Sequence, residues 1–320
     1  MAAHPTVPGP PIGSFDAGRK LIPDDQCIVV LDTCSVRNIA DDPESVPLAW
    51  VATFAKMAKA GYSFSLADNA CTELLNQHLH GSLPEAKLHT IVAALAQFLN
   101  PDVPVLPGKR DLLGIIGELN DSSWSESEVA AFSKRAWAVL NDPALLTEVQ
   151  RNGVKAALQD DRDDWREAFK TFDDAHAAWL ARDPNGEAKQ PLDEYKHSAL
   201  DAALDIIASS GKSQSPTMAE RQDLEMRYIW RQWVRTRKTK ERYNPGSSNH
   251  LNDGIDFDLY RYLMLPAFVV SDDKGFHSKI ADIKSPQRTW FKKPEELAAA
   301  WERGELSCPT WRAEGSDSTK

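Results

Sequence analysis

Cysteine is scarce in this chain. The four residues, Cys27, Cys34, Cys71 and Cys308, form no CxxC pair, which excludes the usual structural zinc arrangements. Cys27 and Cys71 lie in apolar stretches and read as reduced core residues, so a cytoplasmic location is expected. Long apolar runs are also missing. None approaches the ~18–20 residues that a membrane helix requires, and no membrane partner is expected. The opening MAAHPTVPGPPIGSFDAG lacks the apolar segment of a secretory signal, and its proline and glycine predict a disordered lead-in over 1–20. There is no GxGxxG or GxxxxGK[ST] loop to hold a nucleotide cofactor, and no HExxH pair to hold a hydrolytic zinc. Positive charge is in deficit, with a formal net charge of −10. Taken as an average, that argues against nucleic acid, whose phosphates need Lys and Arg. The average hides a basic stretch, however, and it counts carboxylates that a bound cation would neutralise.

What is present is ordinary globular composition, 42% hydrophobic and 26% charged. CIVVL at 27–31 is a short β-branched run without alternation, as expected of a strand covered on both faces. SFSLA at 63–67, VPVLP at 103–107, AFVVS at 267–271 and TWF at 289–291 are further strand candidates. Helical spacing recurs at 47–61, with Gly61 as its stop, at 68–80, with Asp68 as a candidate N-cap, and at 85–99, 252–265 and 293–303. Alternating strands and helices predict a three-layer α/β/α domain with a central parallel sheet, formed by residues 21–107 and 246–308. Residues 108–245 carry almost no strand signal and read as a large all-helical insertion. Residues 309–320 read as a disordered tail.

Acids punctuate this pattern. Asp32 follows the first apolar strand directly, and sites in open parallel sheets form outside the carboxyl ends of strands. By itself, an Asp there reads first as a turn or helix-cap residue. Glu73 lies on the helix after the second strand, and Asn69 shares its face at i, i+4. In NDGIDFDLYRYLML at 252–265, Asp253 and Asp256 lie side by side at the edge of an apolar stripe. Asp258 points roughly 140° or more away by the 3.6-residue period. Asp272 and Asp273 end the strand AFVVS, repeating the position of Asp32. Carboxylates collected in one crevice repel one another and call for a hard cation with oxygen ligands, Mg²⁺ or Mn²⁺.

The runs VVLDTCSV, SLADNACTELL and NDGIDFDLYRYLMLPAFVVSDDKGF, in that order, resemble the PIN-domain nucleases. TWFKKPEELAAAW resembles the closing strand and helix of larger bacterial PIN-like proteins. The resemblance covers roughly 25–107 and 249–303 and leaves the helical insertion unaccounted for. It implies that Asp32, Glu73, Asp253 and Asp273 occupy the family's four acidic places, with Asp256 competing for the third and Asp272 for the fourth. It further implies metal-assisted phosphodiester hydrolysis, with Asp32 and Asp253 ligating the main Mg²⁺ or Mn²⁺ and Glu73 and Asp273 completing the shell. Asn69 or Asn252 would orient a ligand. Single-stranded RNA is the expected substrate, with single-stranded DNA second. A homodimer or an inhibitory protein partner is compatible with such an enzyme.

MRYIWRQWVRTRKTKERYNP at 226–245 is the basic stretch. Arg227, Arg231 and Arg235 recur at i+4 and, with Lys238 and Trp233, could track phosphates and stack bases. An amphipathic helix with tryptophan in the core and arginine paired to acids explains the same pattern. Two other functions compete with nuclease action: a degenerate fold that binds RNA or protein without catalysis, and a haloacid-dehalogenase-type phosphatase. The phosphatase chemistry needs a second Asp two residues after the first, and here that position is Cys34.

Overall fold

The computed structural model describes residues 21–40, 48–108, 112, 125–194, 218–238, 242–250 and 252–310. Five parallel strands form the central sheet: β1 (Cys27–Leu31), β2 (Tyr62–Ala67), β3 (Val105–Leu106), β4 (Ala267–Val270) and β5 (Phe291–Lys292). Their order is β3-β2-β1-β4-β5. All five residues of β1 are buried, which is why its sequence lacks alternation. Helices flank the sheet as α1 (Thr33–Arg37), α2 (Ala49–Lys59), α3 (Asp68–Leu79), α4 (Glu85–Leu95), α5 (Glu126–Asn141), α6 (Glu148–Arg182), α7 (Asp223–Thr236), α8 (Asp253–Arg261), α9 (Lys274–Ile280) and α10 (Pro294–Glu302). The fold is therefore α/β, a three-layer α/β/α arrangement with an added helical region.

Local chemistry sets the boundaries. Gly61 at φ +94° ends α2 in a conformation that side chains disfavour. The expected strand at 289–291 is mostly a 3₁₀ turn, Pro286–Trp290, leaving only Phe291–Lys292 to pair. Asp68 opens α3 but does not cap it. Its N–H is met instead by the Tyr262 hydroxyl at 2.8 Å, which donates in turn to the Leu106 carbonyl at 3.1 Å. Tyr262 thus stitches the end of β3 to the start of α3.

Among the described residues between 109 and 242 there is no strand. Capping boxes, Ser125 with Glu128 and Thr147 with Gln150, start α5 and α6. This helical region shares the core of the sheet domain. Trp165, Phe169, Leu224, Tyr228 and Trp233 are continuous with Val29, Leu66 and Val269 in one buried cluster. Where α6 crosses α8, a Cβ on Gly254 would lie 2.7 Å from the Asp161 carbonyl and 2.8 Å from the Trp165 Cβ. Only glycine allows that approach.

One expectation is corrected. Cys27 is not a free core thiol, because it forms a disulfide with Cys308 (Cα–Cα 5.6 Å) that ties the C-terminal segment to the start of β1. The cysteine argument for a reducing compartment loses its support. Among the described residues no helix is long and apolar enough to cross a membrane.

Candidate functional site

The chain leaves β1 to build β2 and β3 on one side and returns to build β4 and β5 on the other. The crevice outside the carboxyl ends of β1 and β4 is the topological switch point of the sheet. Asp32 sits there, its N–H bonded to the Val270 carbonyl at 2.9 Å. Its carboxylate caps α1 by accepting the Thr33 N–H (2.6 Å) and bridges the crevice by accepting the Ser271 hydroxyl (2.7 Å). Ser271 also accepts the Asp273 N–H at 3.2 Å, joining the two strand ends. Burial pushes the Asp32 carboxyl from 3.8 up to about 6. Glu73 repels it further, while hydrogen bonds from Ser271, Thr33 and Cys34 oppose the rise.

Asp32 thus caps α1 and, in the same position, lies at the switch point of the sheet. Glu73, in the second turn of α3, accepts the Thr33 hydroxyl at 2.5 Å. Burial raises its pKa and Asp256 adds to that, against Thr33, Arg162 and Arg37. Asp256 is pushed from 3.8 to about 7, first by burial and then by Asp32, Asp253 and Asp273, with Lys279 opposing. Cys34, free and exposed, lies on α1 two residues after Asp32. Burial of its thiol, reinforced by the charges of Asp32, Asp273, Asp256 and Glu73, pushes it up to about 12.

Asp253 stands apart. Its Oδ2 accepts the Tyr243 hydroxyl at 2.8 Å and lies 3.0 Å from His250 Nδ1, and its Oδ1 accepts Lys279 Nζ at 3.0 Å. Those partners occupy the Asp253 carboxylate, whereas Asp256 feels the charges of Asp32 and Asp273 and keeps Lys279 as its ion-pair partner. The same Lys279 Nζ lies 3.6 Å from Asp256. Burial works against the Lys279 ammonium, yet Tyr228, Asp256 and Asp253 outweigh it and raise its pKa. Asp273 caps α9 through the Gly275 N–H (2.7 Å), and Asp272 accepts the Asn38 amide (2.7 Å). Asp258 faces away from Asp253 and Asp256, as its helical angle requires, and pairs with Arg261 at 3.2 Å.

The residues expected to meet substrate are placed otherwise. Asn69 donates to the Ile255 carbonyl at 2.9 Å, fixing α3 against α8. Asn252 accepts from Arg162 at 3.1 Å. The basic ridge is corrected. Arg227 pairs with Asp223 (2.7 Å), Arg231 is buried and pairs with Asp282 (2.5 Å), and Arg235 and Lys238 both face Glu194. Trp233 is buried, with its indole N–H on Asp173 at 2.9 Å. Buried aromatics on one side and carboxylates on the other occupy this helix, the structural reading of its pattern. Sequence reasoning missed Thr33, Ser271, Lys279, Arg37 and Arg162. For Thr33 and Ser271 the available signal was adjacency to strand-end acids.

Chemically, Asp32, Glu73, Asp256 and Asp273 offer hard oxygen donors and no imidazole, a set suited in kind to Mg²⁺ or Mn²⁺. Among the described residues, no three His, Cys, Asp or Glu side chains are gathered closely enough to hold an ion as they stand. Lys279 supplies positive charge beside Asp256, at 3.6 Å. Comparison with protein-family models, curated proteins and solved structures found no match to this chain.

Proposed function

We propose that this chain is a PIN-like, metal-dependent nuclease that hydrolyses phosphodiester bonds, with single-stranded RNA as its first substrate and single-stranded DNA as its second. One observation carries the reading: at the switch point of a parallel sheet, Thr33 donates to the carboxylates of both Asp32 and Glu73, and burial raises the proton affinity of these two and of Asp256. Burying like charges together is costly unless a cation or a proton compensates. Asp32, Glu73, Asp256 and Asp273 would hold the Mg²⁺ or Mn²⁺. When bound, the ion supplies an activated water and neutralises charge on the scissile phosphate. Ser271 orients Asp32, and Thr33 orients Glu73, through the hydrogen bonds given above. Asp253 holds Lys279 and anchors α8.

A specific observation favours a second reading. Lys279 already stands between Asp253 and Asp256, as a built-in cation would in a module that binds RNA without cutting it. The test compares wild type with Asp32→Asn on labelled single-stranded RNA and DNA in Mn²⁺, Mg²⁺ or EDTA. Cleavage that needs the metal and falls by at least ~100-fold in Asp32→Asn is the expected result. RNA bound but left uncut by both proteins in every metal would establish the binding module instead.

A further inference from the structure

With the basic ridge of α7 occupied by carboxylates, the crevice needs another source of positive charge to receive a polyanion. Two arginines stand beside it. Arg37, in the last turn of α1, lies four residues after Thr33 and so shares its helix face. Thr33 is the residue that donates to Glu73 at 2.5 Å. Arg37 is exposed and makes no ion pair within the described residues. The second arginine comes from α6. Arg162 donates to the Asn252 side chain at 3.1 Å, at the N-terminal end of α8. Asn252 and Asp256 are one helical turn apart and joined by the Asp256 N–H to the Asn252 carbonyl at 2.9 Å. Arg162 is therefore held at the N-terminal end of the helix whose first turn carries Asp256. Each guanidinium group is tied to the crevice through one neighbour, Arg37 through Thr33 on its helix face and Arg162 through Asn252. Two cations from separate elements flank one acidic centre.

We propose that Arg37 and Arg162 form a phosphate-binding subsite beside the acidic crevice, gripping the backbone of a single-stranded nucleic acid. This inference rests on the nuclease reading and gives the helical region a function within it. Guanidinium groups suit the task because they are always charged and bind phosphate oxygens in a forked, bidentate geometry. With the crevice acids satisfied by a divalent ion, the two arginines can exchange carboxylate neighbours for phosphate oxygens. The alternative role, relieving repulsion among the acids alone, predicts an effect on metal binding and none on RNA.

The experiment uses the full-length chain in an Asp32→Asn background and a fluorescein-labelled oligouridine. Anisotropy titrations at several KCl concentrations compare this background with Arg37→Gln, Arg162→Gln and the double variant. The double variant is expected to bind at least ~10-fold more weakly at low salt. Its log–log salt slope should flatten by up to ~1.4, about 0.7 for each phosphate that the protein no longer neutralises. The Arg37→Lys, Arg162→Lys double variant should recover the slope while binding less tightly than the arginine protein, since lysine keeps the charge and loses the fork. In proteins that retain Asp32, KM should rise in the Gln variants with kcat little changed, and the Mn²⁺-induced rise in melting temperature should persist.

A folded double Gln variant with unchanged affinity and slope overturns the subsite. A Mn²⁺ response altered without a change in RNA affinity does so too, by assigning the arginines to the acids. If the Gln variants fail to fold, the Lys variants decide, and loss of the salt slope in them overturns the proposal. A wild type that neither cuts nor binds RNA would remove the nuclease reading. A wild type that cuts, beside a double variant that binds normally, would remove the subsite alone.

Discussion

Asp256→Asn removes one negative charge from a crevice that already pushes this carboxyl from 3.8 to about 7. In the unfolded chain an Asp titrates near ~3.9. The folded protein therefore retains a proton that the unfolded chain releases across about pH 4–7. Stability conferred by that proton is complete below the unfolded pKa and is lost as pH rises through the folded one. At pH 8 the ionised carboxylate opposes folding. The full offset corresponds to ~4 kcal/mol at about 1.36 kcal/mol per pKa unit. The side chain is 31% exposed, and solvent and side-chain relaxation screen part of that cost, so ~2 kcal/mol is expected.

An unfolding entropy of about 2.1 cal/mol/K per residue, applied to 320 residues, converts this to a rise of ~3 °C. Melting followed by circular dichroism in EDTA checks it. Asp256→Asn should melt above wild type at pH 8, by less at pH 5, and level with it only below about pH 4, where the carboxyl is protonated in the folded and the unfolded chain alike. EDTA matters because a bound divalent ion would reverse the sign, stabilising wild type by mass action. A variant less stable than wild type at pH 8, or raised equally at all three pH values, would refute the reasoning. It would leave Asp256 as a first-turn acid serving the helix dipole.

The neighbouring Asp253 should behave in the opposite way. Asp253→Asn weakens the bond to Lys279 and the contacts with Tyr243 and His250, so urea melts at pH 7 should show a loss of ~1–3 kcal/mol. Arg231→Gln leaves Asp282 without its partner and should cost ~1–2 kcal/mol, discounted because Asp282 is half exposed, with no change in oligouridine affinity. Asp258→Asn, distant from the crevice and paired to Arg261, should keep substantial cleavage where Asp256→Asn loses at least ~10-fold. Cys27→Ser should lower stability by ~2–4 kcal/mol, and a reductant should produce the same loss in wild type but none further in the variant.

The strands are legible because burial on both faces leaves β-branched runs such as CIVVL and AFVV, and the helices because capping residues and Gly61 bound them. The strand-end acids are legible for the same reason: an acid directly after a buried strand has little choice of position. Assigning the third acid is harder. Asp253 and Asp256 lie within one turn of the same helix, and what separates them is their side-chain partners. Tyr243 and Lys279 come from other segments, His250 lies three residues ahead in a separate 3₁₀ turn, and no periodicity reports them. The basic stretch misleads for a related reason. Arg227, Arg231 and Arg235 have the spacing of a phosphate ridge, but Arg227 is taken up by Asp223 on its own helix, and the acids that take up Arg231 and Arg235, Asp282 and Glu194, lie far off in sequence. The Cys27–Cys308 pairing spans 281 residues and leaves no local trace.

The helical region is coupled to the acidic crevice at three points, each through a different kind of contact. Gly254 lets α8 touch α6 backbone to backbone, one residue from Asp253 and two from Asp256. The Trp165 indole donates to the Tyr243 hydroxyl at 2.9 Å, and that hydroxyl donates to Asp253 at 2.8 Å, so a residue of α6 orients an acid through one intermediary. Arg162 holds Asn252 at the start of α8. Close packing fixes the distance of α8 from α6, the hydrogen-bond relay fixes the rotation of Asp253, and the arginine fixes the helix start. These constraints act on α8, the element whose first turn supplies Asp256 to the crevice. The sheet alone positions Asp32 and Asp273 through Ser271, but the fourth wall of the site depends on α6. The segment that interrupts the α/β pattern in sequence therefore completes it in space, and the register of Asp256 against Asp32 is set by both together.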